Sequence, residues 1–363
     1  MKKNLQFIFK SFFQFIFKLI YGKIVYLDNN LIHENIKIDK INSKELIDSN
    51  NDNYNLYTIS EGRLYTDYVE NVAVINNNNI LDKISFQQKD SKLIDTKFNI
   101  CLKNGTPRIK KKVQGNILSL VQGASGNKNY FHWLFDILPR IKIFSEFHPL
   151  KSIDYFYLPE LAQFQKDSLK FLGLDNIKIL NANRYRHIQA KKLFITDHPW
   201  YKEGYILEAV NNMPSWIIHW LRNSFIDKSE KFECNEKIFI DRTESIYNHC
   251  QIQNNNEVLN FLNKKGFTSY QVGQLPFAQQ IHLFKNAKII VGAHGAAFAN
   301  LIFCQKNTKV IDIKPIEHAN YVDKKISKLN NLDFHFIETQ TLKDESKNKG
   351  DIFLKIEDLK NKL

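Results

Sequence analysis

The sequence predicts an α/β protein of two Rossmann-like lobes with a cleft between them, preceded by an amphipathic N-terminal helix. Three observations carry this. From residue 117 onward, short apolar runs alternate with segments of helical period and glycine stops, the rhythm of parallel strands joined by crossover helices. The rhythm is interrupted by a polar, charged stretch at 227–236, DKSEKFECNE, which suits an inter-domain linker. And 363 residues is long for one core, whereas a 43% hydrophobic fraction is ample for two. The expected division is a helix at 1–26, an N-terminal domain at 27–226 with a β-rich start, the linker, and a C-terminal domain at 237–363.

Bulk charge narrows the partners. Lys and Arg outnumber Asp and Glu by 51 to 38, a net +13, so anionic partners are expected: acidic lipid or phosphorylated substrates. The lysines are spread without a long basic block, which argues against nucleic acid. Cys101, Cys234, Cys250 and Cys304 show neither a CxxC pair nor metal-ligand spacing, and read as reduced, cytosolic thiols.

The N-terminal stretch KNLQFIFKSFFQFIFKLIY sets Gln6, Lys10, Gln14 and Lys18 four residues apart, one polar stripe on a helix whose remaining surface is aromatic and aliphatic. Its apolar runs are too short to span a bilayer, and no secretory cleavage site follows. A basic helix with a wide aromatic face suits an anionic membrane surface, and packing against the N-terminal domain is the alternative. Residues 27–116 read as short strands, 54–59 and 72–75 among them, between Asn-rich turns such as 76–79, without recognisable chemistry.

A strand at 117–121 leads through a loop into YFHWLFDILPR, residues 130–140. As a helix this puts His132 and Asp136 at i and i+4, on one face. An Asp that accepts from one imidazole nitrogen fixes the tautomer and leaves the other nitrogen to act as a base. A structural histidine beside an Asp136–Arg140 pair is the plainer reading. Pro139 is expected to end or kink this helix. Strands at 155–158, 177–180 and 192–196 and helices at 161–172 and 214–225 complete the first lobe. In the second, strands at 237–240, 267–272 and 333–337 and helices at 256–265, 276–286, 321–329 and 356–363 surround one organising stretch, KIIVGAHGAAFANLIFCQKNTKVIDI at 288–313. There a strand breaks at Gly292, presents His294 and Gly295, enters a helical segment at 296–303, and returns as a strand at 310–313. Ligands of open α/β sheets sit at the carboxyl ends of strands, and helix N-termini hold phosphate oxygens.

Two segments together resemble glycosyltransferase family 61, which includes bacterial capsule and lipopolysaccharide enzymes. The first is Asn129-Tyr130-Phe131-His132-Trp133-Leu134 with Leu138-Pro139-Arg140; the second is Gly292-Ala293-His294-Gly295-Ala296-Ala297 through Asn300. The resemblance covers roughly 117–336. It implies a GT-B-like fold and inverting transfer from a nucleotide sugar to a glycan or lipid-linked acceptor, with no cofactor and no required metal. The chain's lack of an obvious DxD site agrees with that.

On this resemblance the donor is held by Arg242, Gly292, His294, Gly295 and Asn300. Asp241-Arg242 stands where the family has Ser-Arg, and His249 substitutes for absent arginines unless the donor is unusual. The acceptor side carries Asn129 and Arg140. His132 is the preferred base, oriented by Asp136. Asp136 itself is an alternative base, and His294, read first as a phosphate contact, is another. The expected setting is the cytoplasmic face of the inner membrane, in a polysaccharide-synthesis complex. A hydrolase lacks support, since no GxSxG elbow or paired metal ligands occur. A catalytically inactive membrane-associated scaffold on the same fold is the non-enzymatic alternative.

Overall fold

The computed structural model describes residues 2–26, 34–41, 45–46, 54–68, 71–121, 128–243, 250–316, 318, 321–342 and 350–363. The chain divides into two compact units. Unit 1 comprises Met1–Ala162 and Leu174–Trp216, and unit 2 comprises Gln163–Gly173 and Ile217–Leu363. The crossover helix Gln163–Phe171 thus belongs with unit 2, although it joins two strands of unit 1.

Unit 1 opens with the helix Lys2–Tyr21. Among the described residues no helix is long and apolar enough to cross a membrane. Phe12, Phe15, Leu19 and Ile20 are exposed, while Tyr21 at the helix end packs edge-on against His187. After β1 (Val25–Tyr26), the described part of 27–116 is mostly short strands: β2 (Ile36–Lys40), β3 (Asn55–Ser60), β4 (Arg63–Tyr68), β5 (Asn71–Asn76), β6 (Asn79–Ile80), β7 (Phe86–Lys89) and β8 (Lys92–Leu93), followed by a short helix, Ile100–Asn104. Asn77 and Asn78 turn β5 into β6 with φ of 45° and 65°, the left-handed region that Asn tolerates.

Then come β9 (Lys111–Ser119), β10 (Tyr155–Leu158), β11 (Lys178–Asn181) and β12 (His187–Thr196), which pair in parallel in the order β12-β9-β10-β11. β3 and β4 run antiparallel to β12 and attach the meander to this parallel core. Ile117 and Leu118 of the central β9 are fully buried neighbours, so both faces of the sheet are covered there. Chain order β9, β10, β11 grows to one side and β12 returns to the other. The topological switch point therefore lies between β9 and β12.

Unit 2 is a wholly parallel five-stranded sheet, β14 (Thr268–Tyr270), β13 (Lys237–Ile240), β15 (Ile289–Ala293), β16 (Lys309–Pro315) and β17 (Asp333–Thr339) in that spatial order. Its switch point lies between β13 and β15. Helices Asn255–Lys264, Phe277–Asn286, Val322–Leu329 and Ile356–Lys360 connect or close it. Val258, Leu262, Val291, Ile311 and Leu359 belong to the core of one face. The helix Ser215–Phe225 spans the division between the units, and a short 3-10 turn, Ile226–Lys228, begins the stretch read as a linker.

Pro139, expected to end or kink its helix, does not end it but follows an irregular turn. The chain passes from a turn of α-helix, Tyr130–His132, through a π turn, Trp133–Ile137, into a further helix, Leu138–Ser145. The π turn sends the Leu138 N–H to Trp133 O. Proline's missing donor would have gone to Phe135 O, which accepts the Trp200 indole N–H instead, at 3.2 Å. The helical segment expected at Ala296–Phe303 is present as a 3-10 helix. Its tight turns keep Phe298 to Phe303 buried on all sides, with Phe298 N–H on Gly295 O.

Candidate active site

Each switch point carries an imidazole against buried carboxylate. In unit 1, Asn129 caps the helix that follows β9, its Oδ1 accepting the His132 N–H at 3.2 Å. One turn on, His132 Nδ1 lies 2.8 Å from Asp136 Oδ2. Asp136 is fully buried. Burial alone would raise its pKa, but the charge and hydrogen bond of His132, with His198 behind, outweigh that and hold the carboxyl well below the usual range. An ionised carboxylate only accepts, so His132 Nδ1 is the donor in this pair. The His132 side chain is 19% exposed.

The other oxygen of Asp136 accepts the Trp200 indole N–H at 3.0 Å. His198 sits behind, its Nδ1 accepting the backbone N–H groups of Trp200 and Tyr201 at 3.3 and 2.9 Å. Its proton is therefore on Nε2, which faces Asp136 Oδ2 at 3.7 Å, beyond hydrogen-bond length. Burial, followed by the opposing pull of Asp136, leaves His198 at about 4, hence neutral. Arg140 is fully buried, with Nη1 on Leu120 O at 3.4 Å, and burial lowers it to about 9. Read from the sequence as an acceptor contact, Arg140 is an interior cation near Asp136. His198 and Trp200 were not singled out in the sequence. The signal was their position just past the carboxyl end of a parallel strand.

In unit 2, Gly292 lies opposite Ile240 on β13, and a Cβ there would come within 2.8 Å of the Ile240 Cβ. Gly295 is the other close approach: a Cβ would fall 2.5 Å from Arg242 Cζ, so the guanidinium lies directly on the glycine backbone. Arg242 from the end of β13 and His294 from the end of β15 thus meet at the switch point. His294 is nearly buried and its Nδ1 faces two carboxylates, Asp312 Oδ2 at 3.0 Å and Asp323 Oδ2 at 3.2 Å. Burial opposes its charge, yet the two carboxylates together raise its pKa. Asp323 is pushed up to about 7, first by burial and next against His294's opposing pull by the Asp312 charge. Two carboxylates this close do not both ionise freely.

The helix-terminus argument for His294 gives way to this one: what prepares it for an anion is its acidic support. Asp312 carried a legible signal, an acid inside the apolar run Val310–Ile313 of β16, whereas Asp323 carried none. The three ligand atoms of His294, Asp312 and Asp323 lie within 4.8 Å of one another, a spacing that fits a divalent cation if His294 gives up its Nδ1 proton. Asn300, read from the sequence as a donor contact, lies in the 3-10 helix that follows Gly295. It is fully buried, and its Nδ2 donates to Gln280 Oε1 and Ala297 O, at 3.2 and 3.1 Å, fastening the 3-10 helix. His249 lies outside the described residues.

Two α/β units, each with chemistry-bearing side chains at its switch point, define a class of protein that binds ligands at strand carboxyl ends. The family model described as Glycosyltransferase 61 matches residues 130–311, from the His132 helix to β16. The chain belongs to this family, and as a glycosyltransferase it takes a nucleotide-sugar donor and an acceptor. No curated protein shows significant similarity to it.

Proposed function

We propose that the protein is an inverting, metal-independent glycosyltransferase of GT-B type. On this reading it works at the cytoplasmic face of a bacterial inner membrane, within a complex that makes capsule or surface polysaccharide. The observation that carries it is the His132–Asp136 pair: a fixed carboxylate holds one imidazole nitrogen and leaves Nε2 to accept a proton. Nε2 takes the proton of an acceptor hydroxyl while that oxygen attacks the anomeric carbon. The carbon–oxygen bond to the diphosphate breaks on the opposite face, and the configuration inverts. Charge developing on the leaving diphosphate meets the Arg242 guanidinium and the His294 imidazolium, which do the work otherwise given to a cation. His294 is supported as an anion contact by its raised pKa.

The membrane setting is supported by the exposed aromatic face of Lys2–Tyr21 and its lysines. It suits an acceptor that is itself lipid-linked. The test is a panel of nucleotide sugars, assayed for slow hydrolysis without acceptor and for a rise in melting temperature. A uridine diphosphate ligand should stabilise the fold where inorganic phosphate does not, and turnover should survive a chelator. Response to phosphate alone, with no hydrolysis of any donor, would favour the scaffold. Loss of turnover to a chelator, restored by a divalent ion, would overturn the metal-independent step and point to the His294 cluster.

A further inference from the structure

The helix Lys2–Tyr21 is one of two acid-free segments that the fold brings together. Residues 2–26 hold five lysines and no Asp or Glu. Residues 99–112, NICLKNGTPRIKKK, hold four lysines, one arginine and again no acid. Ten of the chain's net thirteen positive charges therefore come from these two segments. They are distant in sequence, and the fold fastens them together. Lys18 Nζ donates to Lys103 O at 2.7 Å, and the Tyr21 hydroxyl accepts the Lys110 N–H at 3.0 Å. Beneath both sits the buried Arg63. It donates to Tyr21 O at 3.4 Å, to Thr106 Oγ1 at 3.1 Å, and to His187, whose Nδ1 donates in turn to Arg108 O. The outward side of each segment is apolar as well as basic. Leu19 is 71% and Phe15 62% exposed on the helix, and Ile109, between Arg108 and Lys110, is 82% exposed.

We propose that residues 99–112 form the second half of a lipid-docking surface whose first half is the N-terminal helix, and that the occupant is an anionic bilayer. This rests on the membrane setting proposed above and extends it to a part of the sequence that carried no chemistry of its own. Ile109 enters the interface as an apolar anchor, and Lys103 and Lys112 meet anionic headgroups. Because Arg63 fixes both segments to the same sheet, the bilayer is met by a rigid two-part platform and the orientation of unit 1 is set. A lone helix would act only as a tether.

The test uses the full chain and phosphatidylcholine vesicles with or without phosphatidylglycerol. Wild type should co-sediment with the anionic vesicles only. Lys103→Gln with Lys112→Gln should weaken binding about 25-fold, at about fivefold for each basic residue removed from an anionic surface. Ile109→Glu should weaken it further while leaving the melting temperature unchanged, since the side chain is exposed. If that variant does prove unstable, the lysine pair still gives the reading. The outcomes separate cleanly. Release by Phe12→Asp/Phe15→Asp with wild-type affinity in the 103/112 and 109 variants overturns the platform and spares the membrane setting. No vesicle binding by wild type overturns both. A dimer in solution that Phe12→Asp dissolves, without vesicle binding, assigns the surface to a second copy of this chain.

Discussion

The two units set histidine against aspartate at their switch points and tune the carboxylates in opposite directions. In unit 1, one carboxylate serves His132, and it is over-supplied with partners: an imidazole on one oxygen and an indole N–H on the other. Asp136 therefore stays ionised and the tautomer of His132 is fixed. In unit 2, two carboxylates share His294. Asp312 Oδ1 accepts no hydrogen bond from the described residues. Mutual repulsion and burial then raise Asp323, and the same charges favour the imidazolium of His294. The residue types are the same, and what differs is the number of carboxylates facing each ring, one at His132 and two at His294.

Four measurements would break or sharpen this contrast. The largest effect is expected from His132→Ala. Turnover should fall by roughly 10²–10⁴ with nucleotide affinity nearly intact, because the base acts only as the acceptor hydroxyl loses its proton. Steady-state kinetics beside calorimetry read both halves. Near-normal turnover in a folded variant would make His132 structural and move attention to Asp136 or to unit 2.

Arg242→Ala should do the converse and weaken donor binding by about 1.5–3 kcal/mol, the usual worth of a charge-assisted contact. Gly295→Ala should approach the same loss, since the new Cβ displaces the guanidinium. Asn300→Ala, which breaks buried bonds to Gln280 and Ala297, should lower stability and spare donor affinity. Equal affinities by calorimetry in all three variants would remove Arg242 from the donor site.

Trp200→Phe deletes one N–H that serves both Phe135 O and Asp136 Oδ1. A cost of about 1–3 kcal/mol in stability is expected from the stranded acceptors, seen in denaturant titration. Turnover should drop as well, by less than for His132→Ala. Unchanged stability would mean that water replaces the indole.

The smallest effects are pH slopes of opposite sign. His198 is lowered in the folded state, so its contribution is present above the unfolded value near 6.5 and is lost as pH falls toward about 4. Asp136, also lowered, loses its contribution at still more acid pH. His294 is raised, so its contribution is complete below about 6.5 and is lost as pH rises through the folded value. Asp323, raised to about 7, adds a penalty that grows over the interval from its ordinary carboxylate value to about 7. Hydrogen exchange by mass spectrometry should show peptides around 198–201 loosening on acidification and those around 294 and 323 loosening on alkalinisation. Parallel trends in the two units would refute the opposed tuning.

What the sequence determined by itself was local. The strands at 155–158 and 237–240 were legible to the residue, because a short apolar run between turn signals leaves little choice. So were the stops at Gly173 and Gly266, whose φ of 71° and 80° suit glycine best. The pairing of His132 with Asp136 was readable because helical spacing alone brings i and i+4 together. The reach of the local signal stopped at Pro139, since the residue that satisfies Phe135 O is Trp200, some 65 residues on.

Tertiary structure decided the rest, because it alone sets which strand carboxyl ends become neighbours. β12 returns beside β9 and brings His198 and Trp200 to Asp136. β13 and β15 pair and set Arg242 on Gly295. β16 lies beside β15 and carries Asp312 to His294. No periodicity in a single sequence encodes such register between distant strands. Protonation followed the same division. Residue types were legible at once, but the number of carboxylates facing each imidazole, and their burial, exist only in the folded chain.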